Sequence, residues 1–245
     1  MPPRERPSVL QEARIGEEFA RLLRSPLFRG RDVPRGDGRI VLVLPGLFGN
    51  DLYLEPMHRW LRRIGYTPVR SSLFVNAGCP QRLTEEIEGH LNIQRQARRG
   101  PVAIIGHSRG GILARALASK LQADASHLVL LGSPAAAVSR AMEYRSEAAQ
   151  VPAGQRVYQA SQRARQILDP DCDAPECGCA FLTDVRAPLH PRTRVTSIYS
   201  SEDPIVPKSA CRVPGAVNHE ITGTHSGLVY NVDALRLVAD ALAAR

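Results

Sequence analysis

The feature that most constrains this chain is a strand, a glycine-flanked serine and a helix in immediate succession. Val102-Ala103-Ile104-Ile105 is an apolar run of strand length. Gly106-His107-Ser108-Arg109-Gly110 follows at once, Gly111 extends it, and a helical pattern opens at residue 109 and runs to Leu121. A G-x-S-x-G segment by itself is a weak signal. In this context it is specific, because a serine on a tight strand-to-helix turn projects its hydroxyl beyond the C-terminal end of a sheet. Glycines two residues to either side leave room for the strained backbone and for close helix–strand packing.

The rest of the pattern fits that turn into an alternation of strands and helices. Residues 40–44, Ile-Val-Leu-Val-Leu, form an unbroken apolar run that suits a parallel strand covered on both faces. A helix is expected near 52–64, a short strand near 67–72 and a helix near 82–98. Strands follow at 127–131, 195–199 and 216–221, with a last helix over 231–243. Such an alternation indicates an α/β fold with a mostly parallel central sheet flanked by helices. Residues 8–24 read as an amphipathic helix with Leu10, Ala13, Phe19, Ala20 and Leu23 on one side, within an N-terminal helical extension of residues 1–36. That helix is expected on the sheet edge or its covering helices. Residues 134–192 break the alternation, being polar, partly helical and then rich in cysteine and proline. They read as an insertion, a cap that follows the third core strand and lies over one end of the sheet. At 245 residues the whole reads as one domain.

A serine hydroxyl is a weak nucleophile until a base takes its proton. In this architecture the partners follow in the order serine, acid, histidine. Asp203 lies just beyond the 195–199 strand and His225, in Gly223-Thr224-His225-Ser226-Gly227, just beyond the 216–221 strand. Both fall at the end of the sheet that carries Ser108. Glu202 is the rival acid. His219 sits inside a strand and ranks below His225, and His107 is read as a packing residue. A tetrahedral intermediate also needs preorganised N–H donors. The amide of Arg109 is one. Leu47, in the glycine-rich loop Pro45-Gly46-Leu47-Phe48-Gly49-Asn50, supplies the other, with Phe48 second.

These segments resemble bacterial α/β-hydrolases of the esterase/lipase type across most of the chain. The likeness rests on Leu44-Pro45-Gly46, on residues 106–111, on Leu131-Gly132-Ser133-Pro134, on residues 198–206 (Ile-Tyr-Ser-Ser-Glu-Asp-Pro-Ile-Val) and on residues 224–228 (Thr-His-Ser-Gly-Leu). It implies a serine carboxylester hydrolase working through an acyl-enzyme on Ser108, with no cofactor and no metal. An acyltransferase or thioesterase with the same triad, and a non-catalytic binding protein of this fold, are the alternatives. The chain departs from many simple lipases in having Pro45-Gly46 where they have His-Gly. That keeps the donor backbone and removes a side chain.

Composition bears on partners. The net charge is +8, and lysine supplies only Lys120 and Lys208 of the 32 basic residues. The arginines are scattered without a basic block, and aromatic residues are 5% of the chain, so a nucleic-acid surface is not expected. The expected partner is a small-molecule ester. No segment is long and apolar enough for stable membrane insertion. Residues 1–28 lack the apolar core of a signal peptide, so the expected location is cytoplasmic. The polar stretch with Arg140, Glu143, Arg145, Glu147 and Arg156 lacks a broad apolar lid face, which favours an esterase of small or medium substrates over a lipase. Cys172, Cys177, Cys179 and Cys211 allow three readings: free thiols, a disulfide among them, or a zinc site, the last with unusual C-x4-C-x-C spacing. The resemblance to the esterase/lipase type, whose members carry cysteines near the cap and after the acid as Cys172, Cys177 and Cys211 do here, raises a structural disulfide above what the spacing alone gives.

Overall fold

Each apolar run forms a strand, and the strands align side by side in one direction. In the computed structural model, which describes residues 9–97, 100–136, 152–170, 172 and 180–244, the sheet contains β1 (Ile40–Leu44), β2 (Thr67–Val69), β3 (Val102–His107), β4 (Ala125–Leu131), β5 (Arg194–Ser200) and β6 (Val217–Ile221). The order is β2-β1-β3-β4-β5-β6, and all five pairings are parallel. The α/β architecture with its parallel sheet is therefore as expected.

The helices are α1 (Ile15–Arg24), α2 (Glu55–Arg63), α3 (Pro80–Ala97), α4 (Arg109–Leu121), α5 (Pro152–Leu168), α6 (Phe181–Arg186), α7 (Lys208–Cys211) and α8 (Val232–Ala243). Successive strand residues point to opposite faces, and this explains why the runs are apolar throughout. Val41, Val43, Ala103, Ile105, Val129 and Leu131 meet Met57 and Trp60 of α2 and Leu235 and Val238 of α8 on one face. Ile40, Leu42, Leu44, Ile104, Leu128 and Leu130 meet Ile87 and Leu91 of α3 and Leu113 and Leu117 of α4 on the other. Each fully buried aliphatic side chain contributes about 1.5–3 kcal/mol, so a charged residue in β1 or β3 would forfeit that and bury a charge in the layer its position faces.

Chain order fixes where a site can form. After β1 the chain moves outward to β2, then returns over β1 to β3. Ligands in open α/β sheets bind outside the carboxyl ends of the strands at such a reversal. The register brings those ends level: Leu44 lies beside Gly106, His107 beside Leu131, and Ser200 beside Ile221.

Two expectations need correcting. The N-terminal helix is a 3-10 segment over Val9–Arg14 followed by α1, and its buried side differs from the one expected. Leu22 is fully buried, with Ile15 and Phe19 packed against the core, whereas Leu10 is 85% and Leu23 45% exposed. The part of the insertion in α6 does not roof the sheet. Phe181 and Val185 are buried in the core beside α4, Ser119 Oγ donates to Asp184 O at 2.7 Å and Arg115 Nη2 to Ala187 O at 2.5 Å. Arg140, Glu143, Arg145, Glu147, Cys177 and Cys179 lie outside the described residues. No helix among the described residues is long and apolar enough to cross a membrane.

Candidate active site

Ser108 occupies the first position beyond β3 with φ 51° and ψ −123°. A non-glycine residue held there costs roughly 1–3 kcal/mol and persists only where its surroundings enforce it. Here the Ser108 N–H donates to Leu131 O at 2.8 Å, and its carbonyl accepts from the Gly111 N–H at 3.0 Å. The neighbouring glycines are required by contact. A Cβ at Gly106 would strike the backbone of Gly110 and Gly111, and one at Gly110 the carbonyls of Leu44 and Pro45. With side chains there, α4 would be forced away from β1 and β3.

The structure brings Ser108, His225 and Asp203 together. Nε2 of His225 lies 2.9 Å from Ser108 Oγ, and Nδ1 lies 2.5 Å from Asp203 Oδ2. A carboxylate only accepts, so Nδ1 carries the proton and Nε2 of the neutral ring is left to accept from the serine hydroxyl. Asp203 is fixed in turn, because its Oδ1 accepts from the N–H groups of Ile205 and Val206, each at 2.8 Å. Burial acts to lower the pKa of His225, but the Asp203 charge and hydrogen bond, together with the Glu12 charge, outweigh it and hold the ring above its ordinary value. Glu202 takes a different role: its carboxylate accepts from the Gly223 N–H and pairs with Arg14, both at 3.3 Å. His219 sits in the last strand, β6.

The loop after β1 is clamped by Asn76. Asn76 Nδ2 donates to Pro45 O at 2.7 Å, its backbone N–H donates to Gly49 O, and its carbonyl accepts from the Phe48 N–H, both at 3.0 Å. The Phe48 amide is therefore already committed. Phe48 has φ 59° within a turn closed by Gly49 N–H to Gly46 O at 3.0 Å. A Cβ at Gly46 would lie 3.3 Å from Ser108 Cβ, so the loop runs directly against the Ser108 turn.

His107 does more than fill space. It is buried, and its Nε2 donates to the carbonyl of His225 at 3.0 Å. Burial, and then the neighbouring His225, push its pKa down to about 3, so the ring is neutral. Tyr53 donates its hydroxyl to Ser226 O, and Tyr230 donates to Tyr53 O at 2.6 Å.

Comparison with known proteins agrees on architecture. No family model matches the chain, and no curated protein matches it in sequence. Solved structures do match. A Staphylococcus aureus protein superposes over 96% of this chain and 92% of its own with a TM-score of 0.56 and 10% identity. Polyneuridine aldehyde esterase covers 84% of this chain and 98% of its own, with TM-score 0.52 and 16% identity. An α/β hydrolase from a sediment metagenome of the Mar Chica lagoon, Morocco, covers 84% and 91%, with TM-score 0.50 and 15% identity. The fold is the α/β-hydrolase fold. Identity this low speaks for the backbone alone, so the chemistry has to be argued from the side chains.

Within this hydrolase fold, three groups at the site carry no signal in the sequence. Asn76 lies in an irregular stretch, and Glu12 and Glu18 lie far from every motif. Both glutamates accept hydrogen bonds from the His225 turn. The Arg109 side chain also turns out to be buried. Its Nη2 donates to Gly78 O at 2.5 Å, and burial with nearby Arg165 lowers its pKa to about 10. Asp169, just after α5, accepts from the Cys79 N–H at 2.5 Å and from Arg82 at 2.7 Å, tying the insertion to the start of α3. Cys172 and Cys211 are both buried.

Proposed function

We propose that the protein is a serine hydrolase that cleaves carboxylic esters through an acyl-enzyme on Ser108. The observation that carries this reading is the connected line from Ser108 Oγ through His225 to Asp203, with links of 2.9 and 2.5 Å at the carboxyl end of the sheet. Ser108 Oγ attacks the ester carbonyl while His225 Nε2 takes its proton. Asp203 keeps the ring in the tautomer that can accept and stabilises the imidazolium. The amides of Leu47 and Arg109 receive the negative charge that develops on the carbonyl oxygen. The committed Phe48 amide favours Leu47 as the donor from the β1 loop. His225 then protonates the departing alkoxide, water enters, and the same base activates it to release the acid.

The raised pKa of His225 fits a group that must accept and then return a proton near neutral pH. Turnover of p-nitrophenyl esters of increasing acyl length by the wild type and by Ser108→Ala tests the reading. The variant should lose several orders of magnitude in kcat, as triad serines do, while folding normally. Undiminished hydrolysis by Ser108→Ala would refute it.

A further inference from the structure

The turn that carries His225 is held from outside the sheet. Glu12, in the 3-10 segment Val9–Arg14, accepts from the His225 N–H at 2.7 Å and from the Ser226 N–H at 2.9 Å, one bond to each carboxylate oxygen. Glu18, in α1, accepts from the Thr224 N–H at 3.0 Å and from the Thr224 hydroxyl at 2.5 Å. Three consecutive amides thus end on two carboxylates lying 206 to 214 residues earlier in the chain. Arg14 adds a further tie through Glu202, which itself accepts from the Gly223 N–H.

The turn is shaped to admit these groups. A Cβ at Gly227 would overlap Oε2 of Glu18 and Oγ1 of Thr224, and one at Gly223 would lie 2.7 Å from Glu18 Oε1. The 3-10 turn Ser226–Val229 begins at His225, and the first N–H groups of such a turn have no partner within it. Bonds from N–H groups to carboxylates are about twice as strong as neutral ones. The N-terminal segment therefore supplies acceptors that the turn itself lacks.

We propose that Glu12 and Glu18 are positioning residues that fix the His225 turn, so that the N-terminal segment is a working part of the active site. The inference rests on the serine-hydrolase reading above. Its reach is geometric first: the imidazole is aimed at Ser108 by a backbone that the two carboxylates hold, and a misplacement of about 1 Å in such a group can cost about 100-fold in rate. It is electrostatic second. The groups facing His225 are Asp203 from the loop after β5, Glu12 from the N-terminal segment and His107 from β3, with the Tyr53 hydroxyl and Glu18 against the flanking residues. His107 is neutral, so Glu12 stands with Asp203 in favouring the imidazolium.

The test compares Glu12→Gln, Glu18→Gln, the double variant, Glu12→Asp and the exposed neighbour Glu17→Gln, with Ser108→Ala as reference. Turnover is expressed per site titrated by a fluorophosphonate, so that loss of folded protein does not count as loss of rate. The double variant should fall about 10- to 100-fold in kcat with KM little changed. Glu12→Gln should also move the acid limb of kcat/KM to lower pH, Glu12→Asp should recover part of the rate, and Glu17→Gln should match the wild type. If the double variant does not fold, the single variants carry the same readouts. Unchanged kcat per site and an unmoved acid limb in the glutamine variants would overturn the inference while leaving the triad standing, provided Ser108→Ala is inactive. An active Ser108→Ala would instead overturn the underlying reading.

Discussion

His107 Nε2 lies 3.0 Å from the carbonyl oxygen of His225, so the residue before Ser108 holds the backbone of the histidine that Ser108 meets. This links β3 to the His225 turn independently of the Ser108–His225 contact. It also makes a buried neutral imidazole part of the fold.

That imidazole should make the protein acid-sensitive. Above about pH 6.5 His107 is neutral whether the chain is folded or not, and it imposes no penalty. As pH falls from there towards about 3, the unfolded chain binds the proton and the folded one resists it. Stability should drop by about 1.4 kcal/mol per pH unit from this group over that window. Urea unfolding at pH 7 and pH 5 should show a smaller difference for His107→Gln, which keeps an N–H donor for His225 and loses the titration.

The raised pKa of His225 has the opposite sense and shows in activity. The base must be neutral to work, so kcat/KM should fall on the acid side with an apparent pKa above 6.5. Asp203→Asn removes the main group that raises it and the acceptor that sets the tautomer. A pH–rate profile of that variant should show a lowered acid limb and a kcat reduced by about 10⁴-fold.

Asn76→Ala should loosen the loop after β1. The Nδ2 bond to Pro45 O at 2.7 Å would be lost in a buried setting, at about 1–3 kcal/mol of stability. Denaturant unfolding measures that cost. On the proposed mechanism, ester turnover by the same variant should fall about 10-fold or more, because the loop that carries the proposed Leu47 donor would no longer be held beside Ser108.

Gly110→Ala tests the contact between α4 and the first strand. The added methyl would meet the carbonyls of Leu44 and Pro45, and strain of this kind costs about 1–3 kcal/mol. The midpoint of thermal unfolding should fall, whereas Gly89→Ala, where no atom lies within 4 Å of the added methyl, should not lower it.

Much of this was legible in the sequence, and the gaps have physical causes. The central strands β1 and β3 announced themselves because a strand covered on both faces runs apolar almost throughout, as residues 40–44 and 102–105 do. Ser108, Asp203 and His225 stand beside strand ends, and short loops keep them there. The N-terminal face differs for two reasons: α1 turns Ile15, Phe19 and Leu22 inward and so leaves Leu23 outside, and residues 9–14 wind as a 3-10 helix of about three residues per turn, out of step with the 3.6-residue pattern that places Leu10 beside them. Glu12 and Glu18 look like any surface glutamates, since their partners are more than 200 residues away. For α6 a signal existed. Phe181 and Val185, four apart, mark an apolar stripe that a flanking helix buries and a roof over the sheet does not need.

The central claim is that His225 activates Ser108, and covalent labelling by a fluorophosphonate followed by peptide mass mapping tests it most directly. A single adduct on the peptide containing Ser108 is predicted, absent in Ser108→Ala and formed far more slowly in His225→Ala. A folded wild-type protein that takes no label, or takes it on another residue, would contradict the account.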